Sequence, residues 1–253
     1  MIPSPIHKAL STMRRHAVQH LLMGGQACVL YGAAEFSRDA DLALLASPEN
    51  LTRLRTAVGE LDATVVAVPP FETQYLDHGH AVHFRCGDGL RIDVMSRMRG
   101  VGPFPDLWAR RTTLMLPGQT GESLEIDVMS LPDLVSSKKT QRDKDWPMIR
   151  RLLESNYFEF RERPTPSRVD FWLRELRTPE LLVECVAKFP EEAAGKESGR
   201  PALIAAREGD VRAIESELAI EQEAERERDR AYWGPLRAEL EQLRRAARTE
   251  GLG

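Results

Sequence analysis

Apolar positions along this chain switch between two periods. Leu21 to Met23 and Leu42 to Leu45 are short unbroken apolar runs, the pattern of buried strands. Leu90, Ile92 and Val94 alternate with Arg91, Asp93 and Met95, the pattern of a strand with one covered face. Residues 63–68 and 81–86 read as further strands, and Gly87-Asp88-Gly89 as the hairpin turn into residues 90–95. Residues 124–129 repeat the alternation.

Between these runs the spacing turns helical. Ile6, Leu10, Met13 and Ala17 define a helix over 4–19, and residues 26–31 a short one closed by Gly32. Ser47-Pro48-Glu49 is a start signal for a helix over 49–60, with Leu51, Leu54 and Val58 inward. Leu131, Leu134, Val135 and Lys138 share a face of a helix that begins at Ser130, and Arg142 and Asp145 continue it. Residues 71–80 read as a loop or short turn, and the Gly- and Pro-rich stretch 100–118 as a loop anchored by Trp108.

Past residue 160 the strand pattern stops. Pro164 and Pro166 mark a linker, 167–189 give one or two short helices, and 199–218 a helical hairpin. Residues 221–248, dense in Glu and Arg, read as an exposed helix with i,i+4 ion pairs. The expectation is an α/β (α+β) fold: a small mixed sheet flanked by helices over residues 1–160, then a helical C-terminal region over 161–253.

Composition narrows the class. With 42% hydrophobic and 29% charged residues among 253, the chain has a globular makeup. A net charge of −4 advertises no general nucleic-acid field. Three widely spaced cysteines, Cys28, Cys86 and Cys185, fit no zinc pattern and suggest reduced thiols in a cytoplasm. The first residues lack the apolar core of a secretory signal, and no apolar run approaches the ~20 residues of a membrane span. A cytoplasmic protein with no membrane partner is expected.

The chemistry gathers in residues 21–45. Gly24 and Gly25 follow the first strand and precede a helix, so backbone N–H groups can approach an anion closely. Asp39 and Asp41 are two apart at the start of the next strand, which points both carboxylates to one side. Such neighbours repel unless a cation lies between them, and hard oxygens suit Mg²⁺. Asp93 faces away from the apolar side of its own strand. Asp127 is a second-ranked third acid.

Gly24-Gly25, thirteen residues, then Asp39-Ala40-Asp41, preceded by Ser37-Arg38, resembles the nucleotidyltransferase superfamily of the DNA polymerase β type. The likeness is nearest to its small prokaryotic branch of minimal nucleotidyltransferases and nucleotidyltransferase-like toxins. It spans roughly residues 5–155. It implies Asp39, Asp41 and Asp93 as catalytic, metal-holding acids for two Mg²⁺ ions. It further implies Gly24, Gly25, Ser37, Arg38 and Lys138 as contacts of a nucleoside triphosphate. The implied reaction moves a nucleoside monophosphate to an acceptor hydroxyl, on a tRNA or RNA end or on a small molecule, with a toxin–antitoxin role in the first case. The alternative is a nucleotidyltransferase-like domain that binds without turnover. The C-terminal helices are a candidate surface for a protein partner.

Two other clusters read as ordinary. His78, His80 and His83 lie at a turn and strand start without metal spacing. Arg110 and Arg111 read as surface arginines; with Lys138 and Arg142 they are the candidates for a basic rim able to take RNA.

Overall fold

The computed structural model describes residues 4–34, 36–66, 68–117 and 123–249. In chain order its first elements are α1 (Ser4–Arg15), β1 (His20–Met23), α2 (Gly24–Leu30), β2 (Ala40–Leu44), α3 (Pro48–Glu60), β3 (Thr64–Val65) and α4 (Thr73–His78). Then come β4 (Val82–Arg85), β5 (Arg91–Met95), α5 (Phe104–Ala109), β6 (Thr112–Pro117), β7 (Ser123–Val128) and α6 (Leu131–Ser137). The rest is helical: α7 (Asp145–Phe160), α8 (Pro166–Glu175), α9 (Pro179–Lys188), α10 (Pro190–Ala194), α11 (Pro201–Glu208) and α12 (Val211–Thr249). This is the mixed α+β architecture expected, a sheet with helices followed by a helical C-terminal part.

Among the described residues the strands form one seven-stranded sheet in the order β3-β4-β5-β2-β1-β7-β6. β1 pairs antiparallel with β2 and parallel with β7, while β2 pairs parallel with β5. The alternation in the sequence gives the sheet two unlike faces. Leu22, Leu42, Val94 and Val82 are successive cross-strand partners, as are Ile92 and Phe84, and each is at most 1% exposed. These rows, with Ile6, Leu10 and Met13 of α1 and Leu51, Leu54 and Val58 of α3, make the core. The opposite face carries Asp41, Asp93, Arg91 and His83 beside the buried Leu21 and Ala43.

Local sequence explains the elements that frame the site. Ser47 caps α3, its Oγ accepting from Asn50 N at 3.2 Å, with Pro48 at the first position and Glu49 in the first turn. Asn50 is itself buried. Its side chain donates to the carbonyls of Gln19 and Leu45, both at 2.9 Å, and accepts from Gln19 N at 2.7 Å. That ties the start of β1 to the end of β2.

Several expected bounds differ. The run 63–68 yields only the two-residue β3; its Ala67, and Gly118 at the end of the expected loop, lie outside the described residues. Residues 71–80 contain α4, and the expected loop 100–118 contains α5 and β6. The helix from Ser130 stops at Ser137, so Lys138, Arg142 and Asp145 do not share one helix with Leu131.

The chain divides into two units: residues 1–30, 34–137 and 231–253 form one, and residues 31–33 and 138–230 the other. Residue 160, where the sequence pattern changes, falls inside the second. There α8, α9, α10 and α11 each begin with a proline, which suits a first turn that needs no N–H. Trp172, fully buried, meets Tyr157 edge-on at 4.9 Å and donates Nε1–H to Asn156 Oδ1 at 2.9 Å.

In the first unit the last part of α12 is held to α4 by histidine–carboxylate contacts. Glu239 Oε1 lies 3.0 Å from His78 Nδ1 in a hydrogen bond, and Oε2 lies 3.1 Å from the buried His80 Nε2. The second contact is close enough for an ion pair, but its angle is too poor for a hydrogen bond. His78 first, then His80, hold the Glu239 carboxyl below its ordinary value of 4.5. A depressed carboxylate stabilises the fold above that ordinary value and loses its effect as pH falls through the folded-state value. Glu239→Gln is therefore expected to lower the urea midpoint slightly at neutral pH and to match the unmodified chain in acid. The contact is over a third exposed, so the difference is at most ~0.5 kcal/mol. Urea titrations across that pH range check it.

Candidate functional site

The polar face of the sheet presents one row across four strands. Met23 is the partner of Asp41, Asp41 of Asp93, and Asp93 of His83. Asp41 and Asp93 thus sit side by side on parallel neighbours, both half-buried. The same register carried back one residue sets Asp39 opposite Arg91. Two carboxylate pairs would repel in this arrangement; here a guanidinium takes one of the four places.

The glycines meet the first acid directly. Gly24 follows β1 with φ +65° and opens α2. A Cβ at Gly24 would land within the Asp41 carboxylate, so only glycine lets the backbone pass. Gly25 N–H donates to Asp41 Oδ2 at 3.3 Å. A Cβ at Gly25 would come within 2.7 Å of Ser37 Oγ, which donates to the Asp39 carbonyl at 3.3 Å. Gly24, Gly25, Ser37, Asp39 and Asp41 therefore form one contiguous patch. Arg38 is exposed, its guanidinium 6.0 Å from the ring of the exposed Phe36.

Asp93 has two partners on its Oδ1. Its Oδ1 accepts from Arg91 Nε at 2.7 Å and lies 2.8 Å from His83 Nδ1. Arg91 Nη2 is also 3.1 Å from that same ring nitrogen. Nδ1 either carries a proton and donates to Asp93 or accepts from Arg91; it cannot do both. Burial alone would raise the Asp93 carboxyl, but the bonds from His83 and Arg91 outweigh it and hold it below the usual range. Arg91 is in turn raised, first by its bond to Asp93 and further by the charges of Asp39 and Asp41. His83 and Arg91 were not expected at the site from sequence. The Gly87-Asp88-Gly89 turn was the available signal: pairing symmetrically about Asp88 sets 85 opposite 91 and 83 opposite 93.

The donor set has the chemistry of a magnesium site: hard carboxylate oxygens in register beside a backbone that only glycine permits. The side chains are turned to other work, however. Among the described residues no group of three or more His, Cys, Asp or Glu is arranged to hold a metal ion. Asp93 faces Arg91 and His83 instead.

The remaining candidates have partners of their own. Asp127 on β7 accepts from Arg111 Nε at 2.8 Å and Thr113 Oγ1 at 2.7 Å. Arg110 forks onto Asp133 at 3.0 and 3.2 Å. Lys138 belongs to the second unit, where its almost buried ammonium is 3.6 Å from Asp145 Oδ1. Asp145 also accepts from Arg142 at 2.7 Å and Thr140 at 2.6 Å. His78 and His80 face Glu239, and His83 faces Asp93, so the three histidines do not converge. Cys86 and Cys185 are buried thiols pushed up to about 11 and about 12 by desolvation, which rules against a thiolate nucleophile. Among the described residues no helix is long and apolar enough to cross a membrane. No protein-family model and no curated protein matches this chain.

Proposed function

We propose that this chain is a divalent-metal-dependent nucleotidyltransferase that moves a nucleoside monophosphate from a nucleoside triphosphate to an acceptor hydroxyl. The observation that carries the reading is the register of Asp41 with Asp93 beside the Gly24 backbone. Asp39, Asp41 and Asp93 are the residues that would hold Mg²⁺. Bound there, the metal would supply charge for the attacking and leaving oxygens of an in-line displacement. Gly25 and Ser37 line the approach to the acids, and Arg38 adds an exposed cation for a polyphosphate. Asp93, held ionised by its neighbours, suits a ligand better than a strong base.

The acceptor reading favours a small hydroxylated molecule over an RNA end. The four cations proposed as an RNA rim are each paired with a carboxylate: Arg110 with Asp133, Arg111 with Asp127, Lys138 and Arg142 with Asp145. The bond of Arg91 to Asp93 favours a second reading, a domain that binds nucleotide without turnover. Incubation with labelled triphosphates and Mg²⁺, against total RNA and against a panel of small polyhydroxylated acceptors, separates these readings. Label on a small acceptor, lost in Asp39→Ala, is the expected result. Magnesium-dependent binding with no transfer to either acceptor class would replace the enzyme by the binding domain.

A further inference from the structure

The polar face holds one charge arrangement that the proposed reaction leaves unused. Arg91 lies on the same strand as Asp93, two residues before it, and so on the same face. Its Nε bonds Asp93 Oδ1 at 2.7 Å, and the charges of Asp39 and Asp41 act on it as well. One guanidinium thus bonds Asp93 and stands opposite Asp39 in the strand register. Its side chain is 44% exposed, whereas that of Asp93 is 20% exposed. The arginine can swing into water while the carboxylate stays. Arg85, its cross-strand partner, carries the same charge on the exposed rim but is not among the groups that bond Asp93.

We infer that Arg91 is the resident counter-cation of the acid set, and that a divalent ion binds there only by displacing it. The inference rests on the metal-holding reading of Asp39, Asp41 and Asp93. It makes Arg91 a positioning residue. Without the metal, Arg91 offsets the like charges around it and keeps Asp93 Oδ1 engaged. On metal binding it surrenders its bond. The arrangement explains why acids in register form no ready-made metal group. His83 keeps its hold on Asp93 in either state, because a carboxylate has a second oxygen to offer.

A Mn²⁺ titration of the full chain, read by electron paramagnetic resonance of the free ion, tests this. Arg91→Met is expected to bind Mn²⁺ roughly 10-fold more tightly than the unmodified chain, the scale of one competing contact charge. Arg91→Lys should fall between them. Arg85→Met removes an equal charge that makes no bond to the acids, and should stay within ~2-fold because solvent screens it. Equal tightening in Arg85→Met and Arg91→Met overturns the inference in favour of a general field effect. Unchanged affinity in Arg91→Met, with binding still abolished by Asp41→Asn, overturns it while leaving the metal site standing. No Mn²⁺ binding by folded unmodified chain and folded Arg91→Met alike overturns both. Thermal melts establish folding in each case.

Discussion

Asp41→Asn is expected to lower nucleotide transfer by about a hundredfold to a thousandfold, the scale for removing one preorganised charge from a reacting centre. The residue stands in the middle of the polar row, between Met23 and Asp93. Asparagine keeps its size and an oxygen that can still accept from Gly25 N–H, which now reaches Asp41 at 3.3 Å. What disappears is the negative charge. That charge also acts on Arg91, so its loss removes an attraction as well as a repulsion. Leu42 and Leu44 bury the other side of β2, each at most 1% exposed, and Asp41 itself is half-buried on the polar face. Removing one of three neighbouring carboxylates relieves repulsion but also loses its attraction to Arg91, so the melting temperature should change little. The measurement pairs label transfer with a thermal melt of the same preparation. Full transfer in a folded Asp41→Asn chain would remove the acids from the chemistry.

What was legible in the sequence follows from where each signal is local. Strand β5 shows itself because Arg91 and Asp93 interrupt its apolar residues at period two, and β2 because Leu42 to Leu45 form an unbroken apolar run preceded by Asp39 and Asp41 two apart. Helix α3 is legible because its cap, its proline and its apolar stripe sit within one short segment. The stretch 100–118 misled because its glycines and prolines flank elements and do not fill them: Pro103 and Pro105 stand at the start of α5, and Pro117 ends β6. The helix expected to reach Lys138 misled for another reason. The lysine's spacing from Leu131 fits a helix, but the chain leaves the helix after Ser137. A loop follows, in which Thr140 takes the Trp146 indole N–H on its carbonyl at 2.9 Å. Periodicity continued by chance past a real end. Helix α12 erred the other way. The second arm of the expected hairpin and the charged helix after it are one helix, started by Asp210 accepting from Ala213 N at 3.0 Å and running through Pro235. The partners of Asp93 were the hardest to foresee, because they depend on a register between strands and not on any one strand's pattern.

The Gly24 backbone offers the sharper test of how the site is built. Gly24→Ala meets two obstacles at once. At φ +65° a Cβ costs ~1–2 kcal/mol from its clash with the neighbouring carbonyl. The same atom would also fall within the carboxyl group of Asp41 and only 2.6 Å from its Cβ, so rotating the side chain cannot clear it. Either β1 and β2 part at the Met23–Asp41 pair, or Asp41 leaves the row it shares with Asp93. Both responses move the acid that the chemistry needs. Transfer should therefore fall as far as in Asp41→Asn, and unlike that variant the chain should also lose stability, by ~2–3 kcal/mol when strain and overpacking combine. Gly25→Ala is the natural comparison. Its Cβ would meet Ser37 Oγ at 2.7 Å, and a serine hydroxyl can turn to another rotamer, so stability should fall by under ~1 kcal/mol. Urea denaturation of the two variants gives the order directly. Equal stability losses would mean that the close passage of the Gly24 backbone over Asp41 is not what holds the acid in place.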